Sequence, residues 1–154
     1  MHTRLNHEVK SLSEQKMEIQ QFESLILLRD RLISNLLGED IDAILYWAGK
    51  DLARNQPVET EIDIVKLFGH YSFGSLSLIE DKKNRKVYKL TGEIVEQRLE
   101  NSQNPSFSLE TGYLSQQLQK LYNIYSEGIY EIKRKKKEVL LTIQMDPKEP
   151  VPSV

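Results

Sequence analysis

The hydrophobic period of this chain changes three times, and that alternation narrows the folds open to it. From about Glu14 to Leu37 the apolar residues Phe22, Leu25, Ile26, Leu32, Ile33, Leu36 and Leu37 keep the three-and-four spacing of one stripe on a long helix. Gly38 suits the left-handed residue that stops such a helix. A second helix follows, with Asp40 as its cap and Ile41, Ile44, Leu45, Ala48 and Leu52 on one face, before Pro57 ends the stretch. A third, short helix begins at Thr60, whose hydroxyl caps while Asp63 answers three residues on. It turns Ile64, Val65 and Phe68 inward and closes at Gly69.

The period then falls to two. Phe73 to Ile79 and Arg85 to Thr91 alternate, and Asp81-Lys82-Lys83-Asn84 between them reads as a hairpin turn. Gly92 and the run Glu93 to Leu99 suggest a third strand, and Asn101 to Pro105 is a loop on composition. Helical spacing returns from Leu109 to Tyr122 through Tyr113, Leu114, Leu118, Leu121 and Tyr122. The last segment is a long hairpin. Its second arm, Glu138 to Met145, places Val139, Leu141, Ile143 and Met145 on one face. Its first arm, about Ile124 to Lys133, reads either as a strand or as a helical extension that becomes one.

This order predicts an α+β fold: an antiparallel sheet of four to five strands, packed against N-terminal helices, with one helix inserted between strands. The chain's 154 residues fit one domain, expected over residues 14–146, with a mobile lead-in over 1–13 and a proline-rich tail over 147–154.

Composition removes several chemistries. No cysteine is present, which excludes disulfides, thiolate nucleophiles and cysteine-bound metal. The three histidines, His2, His7 and His70, are scattered, whereas a metal site needs three or four convergent ligands. No metal or cofactor is expected. The acidic groups Glu39/Asp40 and Glu59, Glu61 and Asp63 stand where helices begin, so dipole stabilisation and capping explain them better than a proton-sharing pair. Nucleophile elbows, phosphate loops and dinucleotide glycine patterns are missing, and no catalytic residue is assigned. No stretch approaches the roughly 20 apolar residues that span a bilayer, and the N-terminus lacks a signal-peptide core; a cytoplasmic protein is expected.

A net charge of −2 draws no nucleic acid to the surface as a whole. The basic run Lys133 to Lys137 could touch phosphate groups, but no aromatic residue interleaves. A solvated turn whose charge blunts edge pairing is the preferred reading.

The helix from Ile41 carries the most information. Trp47, Lys50 and Arg54 share a face beside its core stripe, and Gly49 lies in its interior at a cost of about 1 kcal/mol against alanine. Such a glycine is tolerated where another backbone or a ligand approaches closely. Gly112, beside Tyr113 in the later helix, raises the same question.

Three stretches together resemble the YslB-like family, small proteins of low-GC Gram-positive bacteria. They are Ile44-Leu45-Tyr46-Trp47-Ala48-Gly49-Lys50-Asp51-Leu52-Ala53-Arg54, then Phe107-Ser108-Leu109-Glu110-Thr111-Gly112-Tyr113 with Gln116-Gln117-Leu118-Gln119, and the closing Val139-Leu140-Leu141-Thr142-Ile143 with Asp146. At fold level that family is similar to V4R ligand-binding domains, Bet3-type transport subunits and haem nitric-oxide-binding domains. The resemblance implies an antiparallel sheet with helices against it, often dimeric, sometimes enclosing an apolar cavity. Cysteine acylation and thiolate metal binding do not carry over, and the Tyr-x-Ser-x-Arg haem signature is missing. The expectation is a non-enzymatic, homodimeric binding domain for a hydrophobic or acyl-type small molecule with an acidic head, with Trp47, Gly49, Lys50, Arg54, Gly112 and Tyr113 at its site. The alternative is a homodimeric assembly subunit without a ligand.

Overall fold

The computed structural model describes residues 20–152; the expected lead-in, with His2 and His7, lies outside them. Helix α1 (residues 20–37) passes through a π-helical stretch at Leu27–Ile33 and ends at Gly38, whose φ of +60° favours glycine. Its expected stripe divides. Ile26 is buried, while Leu32 and Leu36 stand in solvent.

Gly38–Asp40 form one 3-10 turn, and α2 (Ile41–Arg54) continues straight from it, so Asp40 makes no side-chain cap. The buried face of α2 also differs from the expected one. Leu45, Gly49 and Ala53 face inward, and the bulkier Ile44 and Leu52 flank them exposed. The neighbouring helix comes so close that only small side chains fit between.

In α3 (Glu61–His70) the capping box of Thr60 and Asp63 is formed in both directions. Ile64 and Phe68 are buried, Val65 is exposed, and the helix runs past Gly69 to His70. Strands β1 (Ser75–Lys82) and β2 (Arg85–Thr91) form the expected hairpin.

The run after Gly92 is helical and not a strand: α4 spans Glu93–Asn101. Its buried residues, Ile94, Val95, Arg98 and Leu99, are spaced as one face of a helix, a period that counting Arg98 as polar conceals. Two helices therefore separate the strand pairs, because α5 (Ser108–Tyr122) follows. The chain closes with β3 (Tyr125–Lys133) and β4 (Glu138–Asp146), joined by the basic turn Arg134–Lys136.

The four strands are all antiparallel in the order β1-β2-β4-β3. Register places Leu76, Leu90, Val139 and Ile132 in one row, and Leu78, Tyr88, Leu141 and Tyr130 in the next. Helix α5 lies along this sheet, buried from Ser108 to Gln119 except at the half-buried Leu109, and α2 covers it from the other side. That layering explains why so polar a helix is interior: its glutamines, serines and Glu110 face partners on both sides.

Candidate functional site

The α2–α5 crossing organises the surroundings of every candidate residue. A methyl on Gly49 would collide with the backbone carbonyl of Leu109 and come within 2.8 Å of the Tyr113 nitrogen. A methyl on Gly112 would collide with the carbonyl of Tyr46 and lie 2.9 Å from its carbon. The two glycines are therefore reciprocal contacts, each facing the other helix's backbone. The space between them is filled, and cavities lie to either side.

One cavity, of about 400 Å³, opens between α1, α2 and α5. Leu25, Leu28, Ile33, Leu52, Phe73 and Leu109 give it apolar walls. Its polar end is a hydrogen-bonded row in which the Tyr113 hydroxyl donates to Gln56 Oε1 and Gln56 Nε2 donates to the Tyr71 hydroxyl at 3.1 Å. Arg29 also borders it.

Arg29 belongs to a buried network tying α1 to the body. It donates to Glu110 at 2.6 Å. Arg98 holds Asp30 through three bonds of 2.7, 2.9 and 3.2 Å, Glu110 at 3.0 Å and the Ser106 carbonyl at 2.7 Å. Burial alone would raise the carboxyl pKa of Glu110, yet the guanidiniums of Arg29 and Arg98 hold it below the usual carboxylate range. Two cations and two anions balance inside the protein.

The second cavity is a groove of about 570 Å³ between the start of α2, the start of α5 and strand β3. Tyr46, on its floor, donates to Glu127 and accepts from the Gly128 N–H at 2.9 Å. Burial and the Glu127 carboxylate push its hydroxyl pKa up to about 12. Glu127 also accepts from Lys50 at 2.8 Å and Tyr125 at 2.5 Å. Burial opposes its charge, but Lys50 and the two tyrosines keep its pKa lowered.

Of the six residues singled out in the sequence, Gly49 and Gly112 meet at the crossing and Tyr113 lines the first cavity. Lys50 is spent on Glu127, and Arg54 reaches Asp51 only at 4.0 Å. Trp47 is 61% exposed on α2. These last three line neither cavity. Lys120 donates to the Ala53 carbonyl in the last turn of α2 at 2.7 Å and to the Gln56 carbonyl just beyond it at 3.1 Å. Sequence reasoning missed Arg29, Asp30, Arg98 and Glu110. Their signal was present: Arg29 and Asp30 sit in phase with Ile26 and Ile33, and Arg98 in phase with Ile94 and Val95.

Residues 22–144 match the family described as "Protein of unknown function (DUF2507)". The chain belongs to that family. YslB of Bacillus subtilis (strain 168), described as an uncharacterised protein, is 30% identical over 151 residues, 98% of this chain and 100% of that one. Among solved structures, the phenol-responsive sensory domain of the transcription activator PoxR, crystallised with phenol, is similar with a TM-score of 0.54 at 12% identity, over 80% of this chain and 74% of that one. An Fe(II) unliganded H-NOX protein from K. algicida aligns over 94% of this chain and 95% of that one at 14% identity, with a TM-score of 0.47. At its identity the PoxR likeness bears on the fold, an α+β arrangement shared with a sensory domain. Among the described residues, no group of three or more histidines or carboxylates is placed to hold a metal ion, and no helix is long and apolar enough to cross a membrane.

Proposed function

We propose that this domain is a non-enzymatic receptor for a small hydrophobic molecule, held in the cavity between α1, α2 and α5. One observation carries the reading: apolar walls border a half-open space of about 400 Å³ that ends in the Tyr113–Gln56–Tyr71 row. Ligand sites commonly exceed about 300 Å³ and pair apolar lining with a few placed polar groups. The head group is a neutral hydroxyl or carbonyl, because Arg29, the cation at this cavity, is already balanced by Glu110. The fold shared with a phenol-responsive domain supports a compact aromatic alcohol as the first probe.

Thermal unfolding of the full chain with phenol, p-cresol and decanol tests this, alongside native mass spectrometry of the freshly purified protein. A raised midpoint or a retained small molecule is expected, abolished by Leu52→Trp, which fills the mouth at a residue already 44% exposed. Absence of any shift with all three probes, together with empty spectra, overturns the reading.

A second reading rests on Leu28, Leu32 and Leu36, spaced by four along α1 and exposed at 53%, 48% and 73%. A self-complementary stripe of this kind would pair two copies of the chain. Leu32→Glu would then convert a dimer to a folded monomer in analytical ultracentrifugation. An unchanged mass removes that reading.

A further inference from the structure

The β3 groove differs in chemistry from the apolar cavity, and its hydrogen-bond inventory defines what it accepts. Four hydroxyl side chains line it, Tyr46, Ser108, Thr111 and Tyr130, and each proton is committed. Tyr46 donates to Glu127, Thr111 to the Phe107 carbonyl at 2.7 Å, and Ser108 and Tyr130 each to Asp42 Oδ1 at 2.9 Å. Ser106, just behind, donates to the same oxygen at 2.6 Å. Three hydroxyls thus orient one oxygen of Asp42, and among the described residues Oδ2 has no partner. The lining holds two carboxylates, Asp42 and Glu127, and no cation. Lys50 neutralises Glu127 from outside the groove, whereas Asp42 has no ion pair among the described residues.

We propose that this groove binds a compact organic cation, an amine or guanidine with an apolar body, whose N–H groups donate to Asp42 Oδ2. A site whose side-chain hydroxyls are all spent as donors selects a ligand that brings its own. An exposed carboxylate with three donors on one oxygen and no paired cation among the described residues offers its other oxygen to a positive charge. The Tyr46 and Tyr130 rings supply faces for that charge, and Ala43 and Ile129 supply apolar surface. The proposal is independent of the cavity between α1 and α2.

Isothermal titration of the full chain with benzylamine, against benzyl alcohol and benzoate, tests it. Benzylamine is expected to bind about tenfold or more tightly than either near-isostere. Asp42→Asn is expected to weaken it by a similar factor. Because Asp42 also lies in the first turn of α2, a second variant is needed: Ile129→Lys, at a position 70% exposed, places a competing ammonium at the rim and is expected to weaken benzylamine as well. Leu52→Trp leaves benzylamine binding unchanged, which separates the two cavities. Equal affinity for benzyl alcohol, absence of benzylamine binding, or undiminished affinity in the folded Ile129→Lys variant overturns the proposal. If Asp42→Asn does not fold, the Ile129→Lys result decides alone.

Discussion

The α carbon of Gly49 faces the backbone carbonyl of Leu109 so closely that not even a methyl group fits between them. Because the obstacle is backbone, it can give way only by moving a whole helix. Gly49→Ala is therefore expected to cost about 3 kcal/mol by urea unfolding, at the upper end for overpacking, and Gly112→Ala a similar amount. Gly69→Ala reverses the sign: nothing lies within 4 Å of its added carbon, and alanine in a helix gains about 0.5–1 kcal/mol. Equal effects at Gly49 and Gly69 would show that the crossing is looser than described.

Arg98 is the hub joining α1 to α4 and α5, since among the described residues it alone holds Asp30 and it shares Glu110 with Arg29. Arg98→Met leaves Asp30 buried without a cation and is expected to cost about 3–5 kcal/mol. Adding Asp30→Asn should return part of that loss, since the stranded charge disappears. Hydrogen exchange should accelerate in α1 first. Uniform acceleration across all helices would mean that Arg98 stabilises the core generally and does not dock α1.

Much of the layout was legible because periodicity is local. The capping box at Thr60, the presence of a hairpin turn before Arg85 (read over Asp81–Asn84, found at Lys83 and Asn84) and the alternation of Val139, Leu141, Ile143 and Met145 each follow from a few neighbouring residues. The helix at Glu93 was lost because a buried arginine looks like a surface residue until its partners, 68 and 12 positions away in Asp30 and Glu110, are known. The inward face of α2 was misread for a related reason. Large apolar side chains normally face inward, but a glycine-mediated crossing selects the smallest face and pushes Ile44 and Leu52 outward. Tyr113 could be singled out from sequence through its place beside Gly112, while Gln56, Asp42 and Glu127 became candidates only once distant segments met.

Acid should unfold the domain through Glu110. Its pKa is lowered in the folded state, so its contribution is fully present above the unfolded value of about 4.3 and is lost as pH falls through the folded value. Asp42 is lowered too: partial burial opposes its charge, and the hydroxyls of Ser106, Ser108 and Tyr130 outweigh it. Stability is expected to be level in this respect from about pH 5.5 upward and to decline below about pH 4.5. Glu110→Gln should be less stable at neutral pH, with the gap to the parent protein narrowing as acid is added. Parallel acid limbs in the two proteins would remove Glu110 from that account.

Tyr46 protects a sheet edge. Strand β3 is terminal in the sheet, and the Tyr46 hydroxyl accepts the outward N–H of Gly128 at 2.9 Å, while Gln119 accepts that of Ser126 at 3.1 Å. Unpaired edge groups of this kind invite pairing with another chain. Tyr46→Phe keeps the ring but removes the acceptor, leaving the Gly128 N–H unpartnered and Glu127 short of one donor. The expected cost is about 1–3 kcal/mol, with faster amide exchange at Gly128 and little change at Ser126, whose cap is separate. If Gly128 kept its protection in the variant, solvent or another group would be satisfying that edge, and the role given to Tyr46 would be wrong.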